Sequence, residues 1–237
     1  MPPLELTIRR KVYRTAGAPP LEAVRGLSLA FPPGTVTALL GPSGCGKSTA
    51  LRILMGLDGD FEGEVRNRPA RLGVVFQEPR LLPWRTLEEN LRIAARAAGV
   101  ASPPTEALLE QVGLGGWGAR RPGELSLGMA RRAALARALA VEPELLVLDE
   151  PFASLDAATA ARLRELVAAV LAERRATAVL VTHALEDAVA LADRVAVLTP
   201  RPAALRGVLD LPPRGTGPPR DAAAVAASVA ERFPAVA

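Results

Sequence analysis

The sequence predicts an α/β fold built on a mostly parallel sheet, with an all-helical segment inserted into it. Short apolar runs alternate with helix-like stretches in the first and last thirds of the chain, the order that yields parallel strands joined by helices. Between Glu78 and about Ala140 the strand signals stop, and three helical stretches separated by Gly/Pro breaks replace them. Locally, the apolar run Val36-Thr37-Ala38-Leu39-Leu40 leads through a glycine-rich loop directly into a helical stretch.

Taken in order, Leu4–Tyr13 and Leu27–Phe31 read as strands with a turn at Gly17–Pro20 between them. Val36–Leu40 is a strand, and Ser48–Leu57 a helix. Glu64–Arg66 and Leu72–Phe76 are further strands. The inserted helices are Thr86–Ala98, Thr105–Val112 and Leu127–Ala140. Strands return at Leu145–Leu148, Val179–Thr182 and Val195–Leu198, separated by helices Ala157–Arg174 and Ala184–Leu191. From Pro200 the chain reads as a Pro/Arg-rich tail, including Pro212-Pro213-Arg214-Gly215, with a final helix Asp221–Arg232. No internal repeat is visible.

The chain has 237 residues, 49% hydrophobic and 23% charged, as in an ordinary globular protein with a sizeable core. The net charge is +4, but the only lysines are Lys11 and Lys47, and the arginines are scattered rather than clustered. No basic stripe argues for nucleic acid. The single cysteine, Cys45, excludes an internal disulfide and reads as a small filler. Neither a signal peptide nor a run of 18 apolar residues is expected.

Gly41-Pro42-Ser43-Gly44-Cys45-Gly46-Lys47-Ser48-Thr49 fits the pattern G-x-x-x-x-G-K-[ST]. Glycines let backbone N–H groups approach phosphate oxygens closely. Lys47 can reach the β- and γ-phosphates, and the Ser48 hydroxyl can ligate Mg²⁺. Strand, loop and helix together place a helix N-terminus against the anion. Leu145-Leu146-Val147-Leu148-Asp149-Glu150 is an apolar strand ending in two acids. Asp149 can hold Mg²⁺, usually through water, and Glu150 can polarise an attacking water. His183, the only histidine, follows strand Val179–Thr182, at the end where open α/β sheets bind ligands, and could hydrogen-bond a γ-phosphate. Gln77 follows Val74-Val75-Phe76 and can ligate Mg²⁺ or touch the water. Tyr13, the only tyrosine, can stack on a base or simply occupy an edge strand.

This set, in this order from about Leu4 to Leu198, resembles the nucleotide-binding subunit of ABC (ATP-binding cassette) transporters. Tyr13 looks like the adenine-stacking aromatic, Gly41–Thr49 like Walker A, and Gln77 like the Q-loop glutamine. Leu125–Arg132 looks like the family signature, Leu145–Glu150 like Walker B, Ala153-Ser154-Leu155-Asp156 like the D-loop, and His183 like the switch histidine. The resemblance implies a P-loop NTPase (RecA-like) core with a mostly parallel sheet, an N-terminal antiparallel β subdomain and an inserted α-helical subdomain. It implies one ATP-binding domain over 1–237, with 1–77 and 141–200 as catalytic core, 78–140 as helical subdomain and 201–237 as tail. It implies ATP and Mg²⁺ (on Ser48 and Gln77, with Asp149 outside them), and Lys47, Glu150 and His183 as the groups that act in hydrolysis. In the family two cassettes pair head to tail, so Ser126 and Gly128 would act on the partner's ATP, in a homodimer or heterodimer. Permease subunits in the membrane, and indirectly a solute-binding protein, are the further implied partners. The implied location is the cytoplasmic face of the cell membrane.

The segment Phe76–Trp84, the Met129 that follows Ser126-Leu127-Gly128, and Ala192–Pro202 are similar to the nitrate, sulfonate and taurine importers of this family. An importer of another nutrient, such as a vitamin precursor or amino acid, and a soluble non-transport ABC ATPase are the alternatives. Leu81, Leu82 and Trp84 either receive the permease, as in the family, or pack on their own helices. The signature departs from the common L-S-G-G, reading Leu125-Ser126-Leu127-Gly128. Either Leu127 points away from nucleotide and is tolerated, or the site is impaired and a complete partner is needed. Ala130 and Arg131 also depart from the Arg-Gln that commonly follows Met there.

Overall fold

The computed structural model describes residues 2–212 and 220–233. In chain order the strands and helices are β1 (Leu4–Tyr13), β2 (Leu21–Phe31), β3 (Val36–Leu40), α1 (Lys47–Leu54), β4 (Glu62–Arg66), β5 (Leu72–Val75), α2 (Leu87–Ala97), α3 (Thr105–Gln111), α4 (Leu127–Ala140), β6 (Leu145–Asp149), α5 (Ala157–Arg174), β7 (Thr177–Thr182), α6 (Leu185–Leu191), β8 (Arg194–Leu198), β9 (Leu205–Asp210) and α7 (Ala222–Arg232). They fall into two compact units, one drawn from Met1–Arg68 and Val179–Ala237, the other Pro69–Ala178.

In the first unit β2, β1 and β4 form an antiparallel sheet in that order. Leu4, Leu6 and Ile8 of β1 alternate inward, with Leu6 opposite Leu29 and Ile8 opposite Leu27, the period-2 pattern of a half-buried sheet. Strand β2 begins six residues earlier than the sequence predicts, at Leu21. Glu22 and Arg25 interrupt the apolar alternation there, yet Glu22 pairs with Arg10 across the strands at 3.2 Å and with Arg25 on its own strand, while Ala23 and Val24 are buried. The parallel pair β3–β8 runs from Thr37 opposite Arg194 to Leu40 opposite Val197, and β9 adds an antiparallel edge to β8. All five residues of β3 are buried, as a strand covered on both faces requires. The sequence predicts tail where β9 lies, because Gly207 and the preceding Pro/Arg segment hide its short alternation. Phe233, just past α7, packs so closely over Gly207 that a Cβ there would lie 2.4 Å from its ring. The Pro213–Gly215 part of the expected tail lies outside the described residues.

In the second unit β5 and β6 are parallel, Leu72 opposite Leu145 and Val75 opposite Leu148. Helices α2, α3 and α5 and strand β5 all contact α4. Its alanines at 133, 134, 136, 138 and 140 are buried and let neighbours approach on several sides. The arginines of α4 reach past those alanines to loops. Arg132 donates to the carbonyls of Val112 and Gly113, and Arg137 to those of Pro79 and Arg80. Helix α2 starts on a capping box. Thr86 Oγ1 accepts from the Glu89 N–H, and the Glu89 carboxylate accepts from the Thr86 N–H. Buried Asn90 holds the loop before it, donating to Leu82 O at 3.2 Å and Thr86 O at 2.8 Å and accepting from Leu82 N at 2.7 Å.

The α/β class, the parallel strand pairs and the helices between β5 and β6 are as predicted, and the N-terminal sheet is antiparallel as the resemblance implied. The ends of β3, α4 and α5 coincide with those predicted. Among the described residues no helix is long and apolar enough to cross a membrane.

Candidate functional site

In the first unit, β3 ends at Leu40 and α1 begins at Lys47, so residues 41–46 form the loop between them. Its shape depends on glycine. Gly46 has φ +131°, and a Cβ there would lie 2.7 Å from Ala23 O and 2.9 Å from Ala203 Cβ. Lys47 is buried, and its Nζ donates to Gly41 O at 2.7 Å and Pro42 O at 2.9 Å, closing the loop around its own ammonium. Cys45 is buried beneath the loop, against Gly41, as the filler role predicts. Pro42, Ser43, Gly44 and Ser48 form the exposed rim, and Thr49 is half-buried.

Tyr13, at the end of β1, is anchored through its hydroxyl, 3.3 Å from Thr49 Oγ1 and 3.2 Å from Asp58 Oδ2. Lys11 Nζ lies 4.7 Å from the Tyr13 ring centroid and pairs with Asp58 at 2.8 Å. Burial opposes charge on both members of this pair. For Lys11 the Asp58 hydrogen bond and charge outweigh it, and its pKa lies above the ordinary value. For Asp58 the Lys11 hydrogen bond, the Asp60 N–H and the Tyr13 hydroxyl outweigh it, and its pKa lies below. Sequence reading missed this pair, because an Asp after a helix carries no signal of its own.

His183 is exposed at the end of β7. The following turn is fixed by Thr182, whose Oγ1 donates to Asp187 Oδ2 at 3.0 Å and accepts from Ala184 N–H at 3.0 Å. A cavity of about 270 Å³ has Leu40, Gly41, Pro42 and His183 in its wall, together with Ala226 and Val229 of α7. The structure thus brings the histidine and the start of the glycine-rich loop to one space. Arg201, which carries no motif signal of its own in the sequence, donates from Nε at 3.0 Å and Nη2 at 2.5 Å to the Gly44 carbonyl.

The second unit holds the other predicted residues. Asp149 ends β6 and Glu150 follows it, both half-buried. Glu150 has φ +45°. Gln77, two residues past β5, is exposed. Ser126 is the N-cap of α4, its Oγ accepting from Met129 N–H at 3.3 Å. Asp156 caps α5 in the same way at 2.9 Å, and the Thr159 hydrogen bonds hold its carboxyl below the usual carboxylate range. A cavity of about 590 Å³ opens between these helix starts, with Ser126, Gly128, Met129, Arg132, Thr159 and Arg162 in its wall. Leu127 does not line it and is 45% exposed. Among the described residues no three His, Cys, Asp or Glu side chains converge as a metal site.

Residues 24–153 match the sequence family described as ABC transporter. Aliphatic sulfonates import ATP-binding protein SsuB 2 of Burkholderia cenocepacia (strain HI2424) is 46% identical over 210 residues, covering 85% of this chain and 75% of its own length. SsuB 1 of Pseudomonas aeruginosa (strain UCBPP-PA14) is 43% identical over 237 residues, covering 94% and 91%. Among solved structures, the dimeric bacterial ABC transporter cassette MJ0796 superposes with a TM-score of 0.76 at 26% identity, over 89% of this chain and 99% of that one. The same cassette in a post-hydrolysis dimer with ADP and Pi gives 0.75 at the same identity and coverage.

Proposed function

The chain belongs to the ABC transporter family, and on that premise we propose that it is the ATP-hydrolysing subunit of an importer of aliphatic sulfonates. The 46% identity to a sulfonate-import subunit over 85% of the chain is the observation that carries the solute class. The importer segment Phe76–Trp84 agrees with it.

In this reading the loop Gly41–Thr49 receives the triphosphate. Backbone N–H groups of the loop and the N-terminus of α1 face the phosphates, and Lys47 supplies the cation. The glycine-dependent loop wrapped around a buried ammonium suits a polyanion. Tyr13 supports the adenine, its hydroxyl held by Thr49 and Asp58. Glu150 polarises the attacking water, and His183 holds the γ-phosphate geometry. Ser126 and Gly128 act on the nucleotide of a second copy or a related partner.

Mg²⁺ suits the donors this chain offers. Ser48, Gln77 and Asp149 present hydroxyl, amide and carboxylate oxygens, the hard donors that Mg²⁺ takes alongside substrate phosphates. When bound there, the ion neutralises charge on the phosphates. Ser48 and Gln77 would hold it directly and Asp149 through water.

Exposed Trp84, beside Leu81 and Leu82 on the loop clamped by Asn90, is the proposed docking point for permease subunits. These subunits would keep the chain on the cytoplasmic face of the membrane. In a strain lacking this gene, uptake of alkanesulfonates, taurine, nitrate and a thiamine precursor separates the solutes. Loss of alkanesulfonate uptake, restored by wild type and not by Glu150→Gln, is the expected result. Intact alkanesulfonate uptake overturns the solute assignment.

A further inference from the structure

Arg131 extends from α4 to the turn after β6. Its Nη1 donates to the carbonyls of Glu150 at 3.3 Å and Pro151 at 3.1 Å, and its Nη2 to that of Ala153 at 3.0 Å. The side chain is 3% exposed, so the guanidinium sits out of water and leans on these backbone dipoles. The turn it grips is unusual. Glu150 has φ +45° and Ser154 φ +62°, both in the left-handed region that L-residues other than Asn, Asp and Gly rarely occupy. Such backbone persists where the surroundings over-determine it.

Three constraints act on Glu150. Pro151 follows it and disfavours the right-handed helical alternative. Its carbonyl accepts from Ala153 N–H at 3.2 Å, closing a tight turn. Arg131 takes the same carbonyl and the two others in one fork. Of the three, only Arg131 belongs to another element. That element is the helix whose N-cap is Ser126, and whose Gly128 packs on Thr159 of α5, just beyond the gripped turn. The backbone angles at Glu150 set the direction in which its side chain leaves the chain.

We infer that Arg131 is a positioning residue for hydrolysis, which fixes the left-handed backbone of Glu150 and makes the aim of its carboxylate depend on the helix that begins at Ser126. The inference rests on the reading above, in which Glu150 serves the chain's own ATP and Ser126–Gly128 the partner's. On that reading, nucleotide held by the partner bears on α4, and Arg131 carries the displacement to the group that polarises water here. One side chain then contributes to cooperativity between the paired sites.

The test uses the full chain, comparing wild type, Arg131→Ala, Arg131→Lys and Glu150→Gln by steady-state ATPase, affinity for a fluorescent ATP analogue, and melting temperature. For Arg131→Ala the expectation is a fall in kcat of about 10- to 100-fold, the scale of a misaimed catalytic group. Its affinity for the analogue should stay within about twofold of wild type and its Hill coefficient for ATP should move toward one. Arg131→Lys, which keeps a cation and a donor, should recover part of the turnover. Wild-type kcat and Hill coefficient in Arg131→Ala overturn the inference. A fall in turnover matched by a similar loss of affinity also overturns it, since that marks a purely structural role. If Arg131→Ala does not fold, Arg131→Lys decides alone. A kcat several-fold down with unchanged affinity supports the inference, and an unchanged kcat overturns it. Glu150→Gln isolates the underlying reading. If it retains turnover, the assignment of Glu150 fails, whatever the Arg131 variants do.

Discussion

A Cβ placed on Gly128 would lie 2.6 Å from Cγ2 of Thr159. This glycine is therefore required by packing inside the chain, between the first turns of α4 and α5, quite apart from any nucleotide. Gly128→Ala should lower stability by about 1–3 kcal/mol through overpacking. Adding Thr159→Ser, which removes the offending methyl and keeps the hydroxyl, should restore most of it. Denaturant unfolding of the two single variants and the double variant measures the coupling. If the double variant folds as well as wild type yet still fails to hydrolyse ATP, the glycine has a second role at the nucleotide.

The contrast between Gly128 and Gly46 shows what was legible in the chain. Gly46 belongs to a loop whose spacing announces its chemistry, and the structure puts that loop where strand, loop and helix predict. The need for Gly128 at the α4–α5 contact could not be read, because Thr159 lies 31 residues away and only packing joins them. The arginines behave alike. Arg131, Arg137 and Arg201 each bind backbone carbonyls of distant loops, and a carbonyl leaves no mark in a sequence. Strand β9 was hidden for another reason. Its pairing with β8 depends on an antiparallel neighbour already in place, while Gly207 breaks its own pattern. The motifs thus name most of the candidate site, and the groups that hold those motifs in shape emerge only from contacts.

Arg201 exemplifies such support. Both of its donors converge on the Gly44 carbonyl, and that carbonyl shares a peptide with the Cys45 N–H, which donates to Pro42 O at 3.2 Å inside the loop. A cation on the oxygen polarises the peptide and strengthens that N–H as a donor, which tightens the turn that shapes the loop for phosphate. Arg201→Ala should weaken ATP binding by about 1 kcal/mol, roughly fivefold in Kd, with binding of AMP unaffected. Arg201 is exposed, so the melting temperature should barely move. Titration of a fluorescent ATP analogue tests this, and equal affinity in both proteins would dismiss the role.

Lys11 and Asp58 set a pH window. Asp58 has a folded pKa below its ordinary value, so its contribution is present above about pH 4 and is lost as pH falls through the folded pKa. Lys11 has a folded pKa above its ordinary value, so its contribution is present below about pH 10 and is lost as pH rises through the folded pKa. With side chains 3% and 14% exposed the pair is largely buried, and Lys11 Nζ also holds Asp60, through its carbonyl and, at 3.4 Å, its carboxylate, so the ammonium keeps a partner when Asp58 is removed. Asp58→Ala should cost about 1.5–2 kcal/mol at pH 7, the scale of a lost hydrogen bond to a charged group. Thermal melts should show that the gap from wild type narrows at pH 3. A gap of equal size at both pH values would mean that Asp58 acts through packing.

Leu127 stands where the family signature usually has glycine, and we propose the tolerant of the two readings. The residue opens α4 and is 45% exposed, while the cavity at that helix start is walled by its neighbours Ser126, Gly128 and Met129. A side chain outside that wall can be shortened without changing the wall. Leu127→Gly should therefore leave ATP turnover within about twofold of wild type, since the cavity wall is unchanged. Its cost falls on the helix, where glycine gives up about 0.5–1 kcal/mol of stability relative to a good helix former. Steady-state ATPase assays beside thermal melts separate the two effects. A several-fold rise in turnover would reverse the argument. It would show that leucine restrains the site, and would point to a heterodimer in which a partner brings the unmodified signature.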